Sequence, residues 1–339
     1  MATLLLLVVL AQGSVVVPEP GEVHLRNVHQ LTSGGQNAEA YFSASGKLLI
    51  FQRQGPAEQC DQMYAMGVDG GGLHRVSSGR GRTTCGYFYD HDRRIFYSST
   101  EQRSPDCPPR PDYSHGYVWA LYDYDIYTAK ADGTSARRLT NGPGYNAEGT
   151  LSPDGTTIVF TSLRDGDLDI YTMRTDGSNL KRLTTMLGYD GGPFFSPDGK
   201  RIVYRAYHPQ TAGDSVEYRE LLAKHLVRPT HMDIWVMNAD GSDQQQITHL
   251  PGASFAPYFH PDGRRIIFAS NYKEPQSRNF DLYLVNLDGT GLEQVTTSPE
   301  FDAFPMFSPD GAHLAWASNR HGTAPHVTNI FIADWVERP

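Results

Sequence analysis

The stretch Ala147–Arg182, AEGTLSPDGTTIVFTSLRDGDLDIYTMRTDGSNLKR, is one copy of a unit that recurs to the C-terminus. It reads apolar run, Ser-Pro-Asp-Gly, β-rich run, short loop, Asp-Ile-Tyr strand, Asp-Gly turn, strand. Four strands joined in this way make one small sheet that cannot bury its own faces, so copies must stack around an axis. The number of copies therefore decides the fold. The first tight turn recurs at Ser152–Gly155, Ser196–Gly199, His260–Gly263 and Ser308–Gly311, with weaker copies at Ser43–Gly46 and Tyr89–Asp92. Proline presets φ at the second position and Asp-Gly supplies the left-handed corner, so the tetrapeptide is a hairpin turn.

Six first turns imply six blades, yet the second turn appears only five times, at Asp69-Gly70, Asp132-Gly133, Asp176-Gly177, Asp240-Gly241 and Asp288-Gly289. The chain stops on the strand Asn329–Val336, before a sixth could form. A donor for the missing outer strand lies at the other end. Val23–Thr32 (VHLRNVHQLT) matches the strands ending in Arg138-Leu139-Thr140, Arg182-Leu183-Thr184 and Gln246-Ile247-Thr248. The expected fold is all-β: a six-bladed β-propeller of four-stranded antiparallel blades over 23–336, closed by the N-terminal strand completing the last blade. Closure removes the sheet edges that would otherwise template aggregation.

The segments DGSNLKRLT, SPDGKRIVY and DIWVMNADGS resemble the TolB-like β-propeller repeat family, and the resemblance runs from Val23 to Trp335. It speaks for the fold far more than for function. In the family's founding member an α/β domain precedes the propeller. The stretch ahead of Val23 is too short for one, so the resemblance is expected to cover the propeller only. The resemblance implies that partners are received at the channel mouth. Some propeller lyases similar to this repeat bind a metal through histidines.

Length alone would suggest two domains, but six blades of roughly 45 residues use the chain as one. A net charge of −9 argues against nucleic-acid binding, which needs a basic stripe. No stretch is long and apolar enough to span a bilayer. The start, MATLLLLVVLAQGSVVV, reads as a secretory signal over 1–13, with Leu4–Leu10 as its apolar core. Val9-Leu10-Ala11 or Ala11-Gln12-Gly13 would precede cleavage, although the first basic residue is Arg26. A buried N-terminal strand is the competing reading. The expected address is periplasmic or secreted. In such a compartment Cys60 and Cys85, at the seam of blades 1 and 2, are the first choice for a disulfide, with Cys107 left over or as an alternative partner.

Spacing between second turns shows where the chain is decorated. Gly133 and Gly177 stand one plain blade apart, whereas Gly70–Gly133 and Gly177–Gly241 are each longer by about twenty residues, which repeat logic places in loops. The insertions fall near 99–121 and 207–231, both between the second and third strands of a blade. With strands named A to D from the channel outward, the D–A and B–C loops share one face. The tight A–B and C–D turns share the other. Function favours variable loops on a rigid scaffold, so the loop-bearing face is the expected binding face. The first insertion, Glu101–Trp119, is rich in Pro and Tyr. In the second, Asp214 with Glu217 suggests a capped helix, and Tyr218, Leu221, Leu222 and Leu226 give it an apolar stripe.

Candidate chemistry is sparse. The strand C aspartates Asp125, Asp169, Asp233 and Asp281, with Asn329, recur in nearly every blade and read as a repeat requirement. Strand A starts offer Asn37, Glu39, Asn146, Glu148, Asp190 and Asp302 around the channel mouth, with Arg53, Arg164, Arg205 and Arg320 following strand B on the same face. Converging carboxylates would suit a divalent cation such as Ca²⁺; ion pairing with the arginines is the plainer reading. His115, His208, His225, His231, His321 and His326 lie in or beside the loops, without a ligand-pair spacing. There is neither a Gly-x-Ser-x-Gly elbow nor a His-Glu-x-x-His helix. Tyr113, Tyr117, Trp119, His208 and His231, with Tyr145, Tyr189, Tyr207 and Tyr272, are candidates for a binding surface, where aromatics supply rigid contact area. The expected role is non-enzymatic recognition of an envelope protein, peptide or other envelope component. The alternative is a metal-assisted lyase or hydrolase acting on a saccharide or small molecule in the channel.

Overall fold

The structure, a computed structural model, describes residues 13–114, 116–322, 324 and 326–338. The signal core, its cleavage motifs up to Gln12, and His115 lie outside the described residues. Blade 3 shows the plan, with strands Asn146–Leu151, Thr157–Ser162, Asp169–Arg174 and Lys181–Arg182 in spatial order. Strand A of the other blades is Gln36–Phe42, Thr83–Tyr89, Tyr189–Phe195, Ser254–Phe259 and Asp302–Phe307. Blade 6 ends in Asn329–Trp335, and Leu25–Gln30 pairs beside it as the outer strand. The ring closes as the sequence implies. A further strand not foreseen, Ser14–Val16, pairs outside Leu25–Gln30 and makes this sheet five-stranded.

Small polar clasps explain why the repeat keeps its residues. The threonine just beyond strand D accepts the backbone N–H of the residue after the strand C aspartate, as in Ile126 to Thr140 at 2.8 Å, Ile170 to Thr184 at 2.9 Å and Ile234 to Thr248 at 2.9 Å. The same hydroxyl donates to the strand C aspartate, 2.9 Å for Thr140–Asp125 and 2.9 Å for Thr248–Asp233. Blade 6 repeats this across the chain ends: Ile330 N–H donates to Thr32 at 2.9 Å, and Thr32 donates to Asn329 at 3.2 Å. Buried polar groups are tolerable because each is paired. On the turn face Asp154, Asp198 and Asp310 each accept a serine hydroxyl and a backbone N–H within their own turn. Those bonds hold all three carboxyls below the usual range.

Successive blades interlock through apolar cores of buried Ile, Val, Phe, Tyr and Met side chains. Among the described residues no helix is long and apolar enough to cross a membrane.

Candidate functional site

Each strand A carries a β-bulge at the same place. Its register slips between Ala38 and Tyr41, Thr84 and Tyr87, Ala147 and Thr150, Gly191 and Phe194, Phe255 and Tyr258, and Ala303 and Met306. One residue in each slip is left-handed: Glu39 (φ 55°), Cys85 (52°), Glu148 (60°), Gly192 (58°), Ala256 (50°) and Phe304 (57°). A left-handed non-glycine residue costs roughly 1–2 kcal/mol, so five of them at equivalent positions mark a requirement of the blade. Bulges re-aim side chains; here the six residues form one ring around the central channel. The ring is chemically uneven, polar on blades 1 to 3 and apolar on blades 5 and 6.

Gly192 leaves a gap in the ring, and Arg205 of strand B fills it; a methyl group on Gly192 would strike the guanidinium. Arg205 pairs with Glu148. Glu148 also accepts from Thr161 at 2.8 Å and from the Gly192 N–H at 2.9 Å. Burial would push this carboxyl up, but the Arg205 charge and these hydrogen bonds outweigh it and hold Glu148 below its ordinary value. Glu39 has no such partner. Burial dominates there and pushes it up to about 6, against hydrogen bonds from Cys85 and Tyr41. The free space inside the ring is about 20 Å³, room for a single water. Substrate pockets run to about 300–1,000 Å³, so a sugar does not fit between these side chains.

The structure divides the residues singled out from sequence. Glu39, Glu148 and Arg205 line the channel. The other candidates sit at the blade seams instead, with Asn37, Asn146, Asp190, Asp302 and Arg320 buried and Arg53 and Arg164 half-buried. Asn37 holds the Thr328 carbonyl at 2.6 Å and accepts from Arg53 at 2.8 Å. Asn146 holds the Tyr124 carbonyl at 3.2 Å and accepts from Arg164 at 2.8 Å. Asp302 pairs with Arg320 at 2.7 Å, and Arg320 also clamps Glu22 of the N-terminal segment at 2.8 Å. Asp190 takes His208 at 3.0 Å in place of an arginine. A Ca²⁺ ion wants six to eight oxygens. The channel offers two carboxylates, one already neutralised by Arg205, so the donor set does not fit that ion. Among the described residues no three His, Cys, Asp or Glu side chains gather as a metal site.

Cys85 is a ring residue that hydrogen-bonds Glu39 inside the channel. It is therefore turned away from the seam where a Cys60–Cys85 disulfide was expected. All three cysteines are free thiols.

The insertions meet each other. Trp119–Ala120 of the first pairs antiparallel with Leu226–Val227 of the second. The helix of the second insertion is Ala212–Leu222, capped by Thr211 with Asp214 reaching back, one turn earlier than the Asp214–Glu217 box read from sequence. Its buried Tyr218 donates to Asp167 at 2.6 Å and to the Gly188 carbonyl at 2.7 Å, which docks the helix on the propeller. Trp119 lies over the Arg205 guanidinium at 5.2 Å and meets Tyr189 and Phe255 edge-on. This tandem of cation–π and edge contacts fixes the insertion above the channel at blades 4 and 5. Outside it, Tyr113 and Tyr117 stack at 6.0 Å and are 49% and 47% exposed, with Arg278 of blade 5 over Tyr117 at 5.3 Å. His231 is exposed beside Thr230. Tyr145 and Tyr189 are buried, whereas Tyr207 and Tyr272 are half-buried against Tyr218 and Tyr283.

A larger cleft of about 780 Å³ lies on the turn face, between blades 6 and 1, among Leu31, Asp69, Pro309, His313 and Asp334. Its polar groups are occupied locally: Asp334 holds Asn27 and His313, and Asp69 closes its own turn. It lacks a converging unpaired group, so the insertion-covered channel is the better candidate.

Sequence reasoning missed the ring as a set, because its residues share no chemical type. A signal exists in the next position, which is Ala40, Gly86, Gly149, Pro193, Pro257 or Pro305. It is always small or proline, and a methyl on Gly86 would lie 2.5 Å from Met63.

Blades, bulges and closure define a six-bladed β-propeller whose channel is lined by one bulge residue per blade. Two family models match in succession: the Tricorn protease N-terminal β-propeller domain over 108–219 and the TolB β-propeller domain over 216–333. The chain is a six-bladed β-propeller, and its residues 216–333 are similar to the TolB β-propeller domain. A structure described as TolB from Agrobacterium tumefaciens is similar at 20% identity and a TM-score of 0.57, covering 90% of this chain and 91% of that one. TolB from Acinetobacter baumannii is similar at 17% identity and a TM-score of 0.57, covering 89% and 65%. An oligogalacturonate lyase in complex with manganese is similar at 14% identity and a TM-score of 0.54, covering 97% and 99%. At such identities the likeness concerns the fold alone. Comparison with curated proteins finds no match.

Proposed function

We propose that this propeller is an exported recognition module, periplasmic or secreted, that binds an envelope protein, peptide or other envelope component through its loop-bearing face. The observation that carries the reading is the pairing of the two insertions, which builds an ordered platform over the channel. Ordered loops bind with less entropy to lose. The exposed Tyr113–Tyr117 stack and Arg278 have the composition of a contact centre, where Tyr and Arg are enriched. Likeness to TolB structures agrees with this reading. The channel, with space for about one water, argues against a saccharide reacting inside it, although two similar structures are oligogalacturonate lyases.

The test is crosslinking in the native envelope followed by mass spectrometry. It compares the intact chain, a variant with 104–117 replaced by a short Gly-Ser loop, and Glu39→Gln. A partner identified on the intact chain should vanish with the loop variant and persist with Glu39→Gln. Equal capture by all three sinks the reading. So does turnover of an oligouronide by the intact chain with a divalent metal present.

A further inference from the structure

Cys107 of the first insertion is a near neighbour of the Cys60 thiol of blade 1. Backbone anchors hold the insertion on both sides of that contact. The Gly81 N–H donates to the Pro105 carbonyl at 2.7 Å, and the Tyr122 hydroxyl donates to the Pro109 carbonyl at 2.9 Å. The Cys60 thiol in turn donates to the Gly81 carbonyl at 3.3 Å. Gly81 thus links the Cys60 thiol to Pro105, two residues before Cys107. Cys60 is 4% exposed and Cys107 half-buried. Cys85 lines the channel instead.

We propose that Cys60 and Cys107 are a disulfide site, closed by a disulfide-bearing oxidant such as oxidised glutathione or a thiol–disulfide oxidoreductase, which staples the first insertion to blade 1. This goes beyond the recognition reading and does not depend on it. The Cys107 thiolate attacks one sulfur of the oxidant and expels a thiolate. Cys60 then loses its proton and attacks the Cys107 sulfur, expelling the second thiolate. The two protein thiols give up two electrons and two protons; the oxidant leaves as two thiols. Burial and the neighbouring Cys107 push the Cys60 thiol up to about 12, which makes it the poorer attacker and assigns the first step to Cys107.

Oxidised glutathione added to the purified, prereduced chain supplies the test, read by thiol counting under denaturing conditions and by non-reducing peptide mapping. Three thiols should become one, and the mapped cross-link should join the Cys60 and Cys107 peptides. Cys85→Ser should keep the cross-link and leave no thiol, while Cys107→Ser should abolish it. Tryptic cleavage after Arg103 should slow by about tenfold on oxidation in the intact chain and not in Cys107→Ser, since cutting follows the open population. Three thiols surviving oxidation, or a cross-link containing Cys85, would overturn the assignment.

Discussion

Replacing Glu148 by Gln keeps the shape of the channel ring and removes the counter-charge of Arg205. Side-chain exposures are only 11% for Glu148 and 10% for Arg205. Leaving one partner of such a buried pair alone costs about 3–5 kcal/mol. Arg205 would keep its contacts with the Trp119 and Tyr189 rings, at 5.2 and 5.3 Å. The amide introduced by Glu148→Gln could still accept from Thr161, so the lower end, about 3 kcal/mol, is expected. Unfolding entropy of about 2.1 cal/mol/K per residue over ~320 residues amounts to ~0.7 kcal/mol/K, so Tm should fall by about 4–5 °C. Urea unfolding followed by tryptophan fluorescence at pH 7 reads the free energy directly. Arg205→Met should also be costly, because it strands the Glu148 carboxylate. The double variant should recover at least about 2 kcal/mol of the summed loss, since with both partners replaced by uncharged side chains neither charge is left buried alone. A loss below about 1 kcal/mol for Glu148→Gln, together with additive singles, would mean that water screens the pair and that the channel is wetter than its dimensions imply.

Two further changes probe neighbouring features. Glu39, pushed up to about 6 by burial, favours the protonated folded form. Stability should therefore fall as pH rises from about 4.5 through 6, by about 2 kcal/mol in all. Glu39→Gln should flatten that slope in denaturation curves at pH 4.5 and 8; an unchanged slope would assign the titration elsewhere. Thr32→Val leaves the Ile330 N–H and the Asn329 side chain without their bonds to Thr32. It should cost about 1–3 kcal/mol, matching Thr184→Val in an interior blade. A markedly smaller loss at Thr32 would show that the closing strand is not held as the interior ones are.

The blade count, both turn types, the closing strand and the site of each insertion could be read from the sequence. Each is enforced by local chemistry: Pro and Asp-Gly at turns, Thr against Asp in strands C and D. The seam residues were recognised as a set but assigned to the channel, because their offset from the bulge is invisible without the backbone slip. Two positions separate Asn146, buried at a seam, from Glu148 in the ring. The placing of Cys85 at a seam has a related cause: the left-handed bulge position that sets it in the channel lining carries no periodic signal. The pairing of Trp119–Ala120 with Leu226–Val227 was equally hidden, since both segments are too short to announce strands.

The bond between Thr32 and Asn329 has a consequence during synthesis. The strand Leu25–Gln30 leaves the ribosome long before its partner Asn329–Trp335. At about 5–20 residues per second, the early strand waits on the order of 15–60 s with an unpaired edge. Holding that edge away from other nascent chains is a task for whatever machinery attends this protein, and the last blade cannot form until the final strand is released.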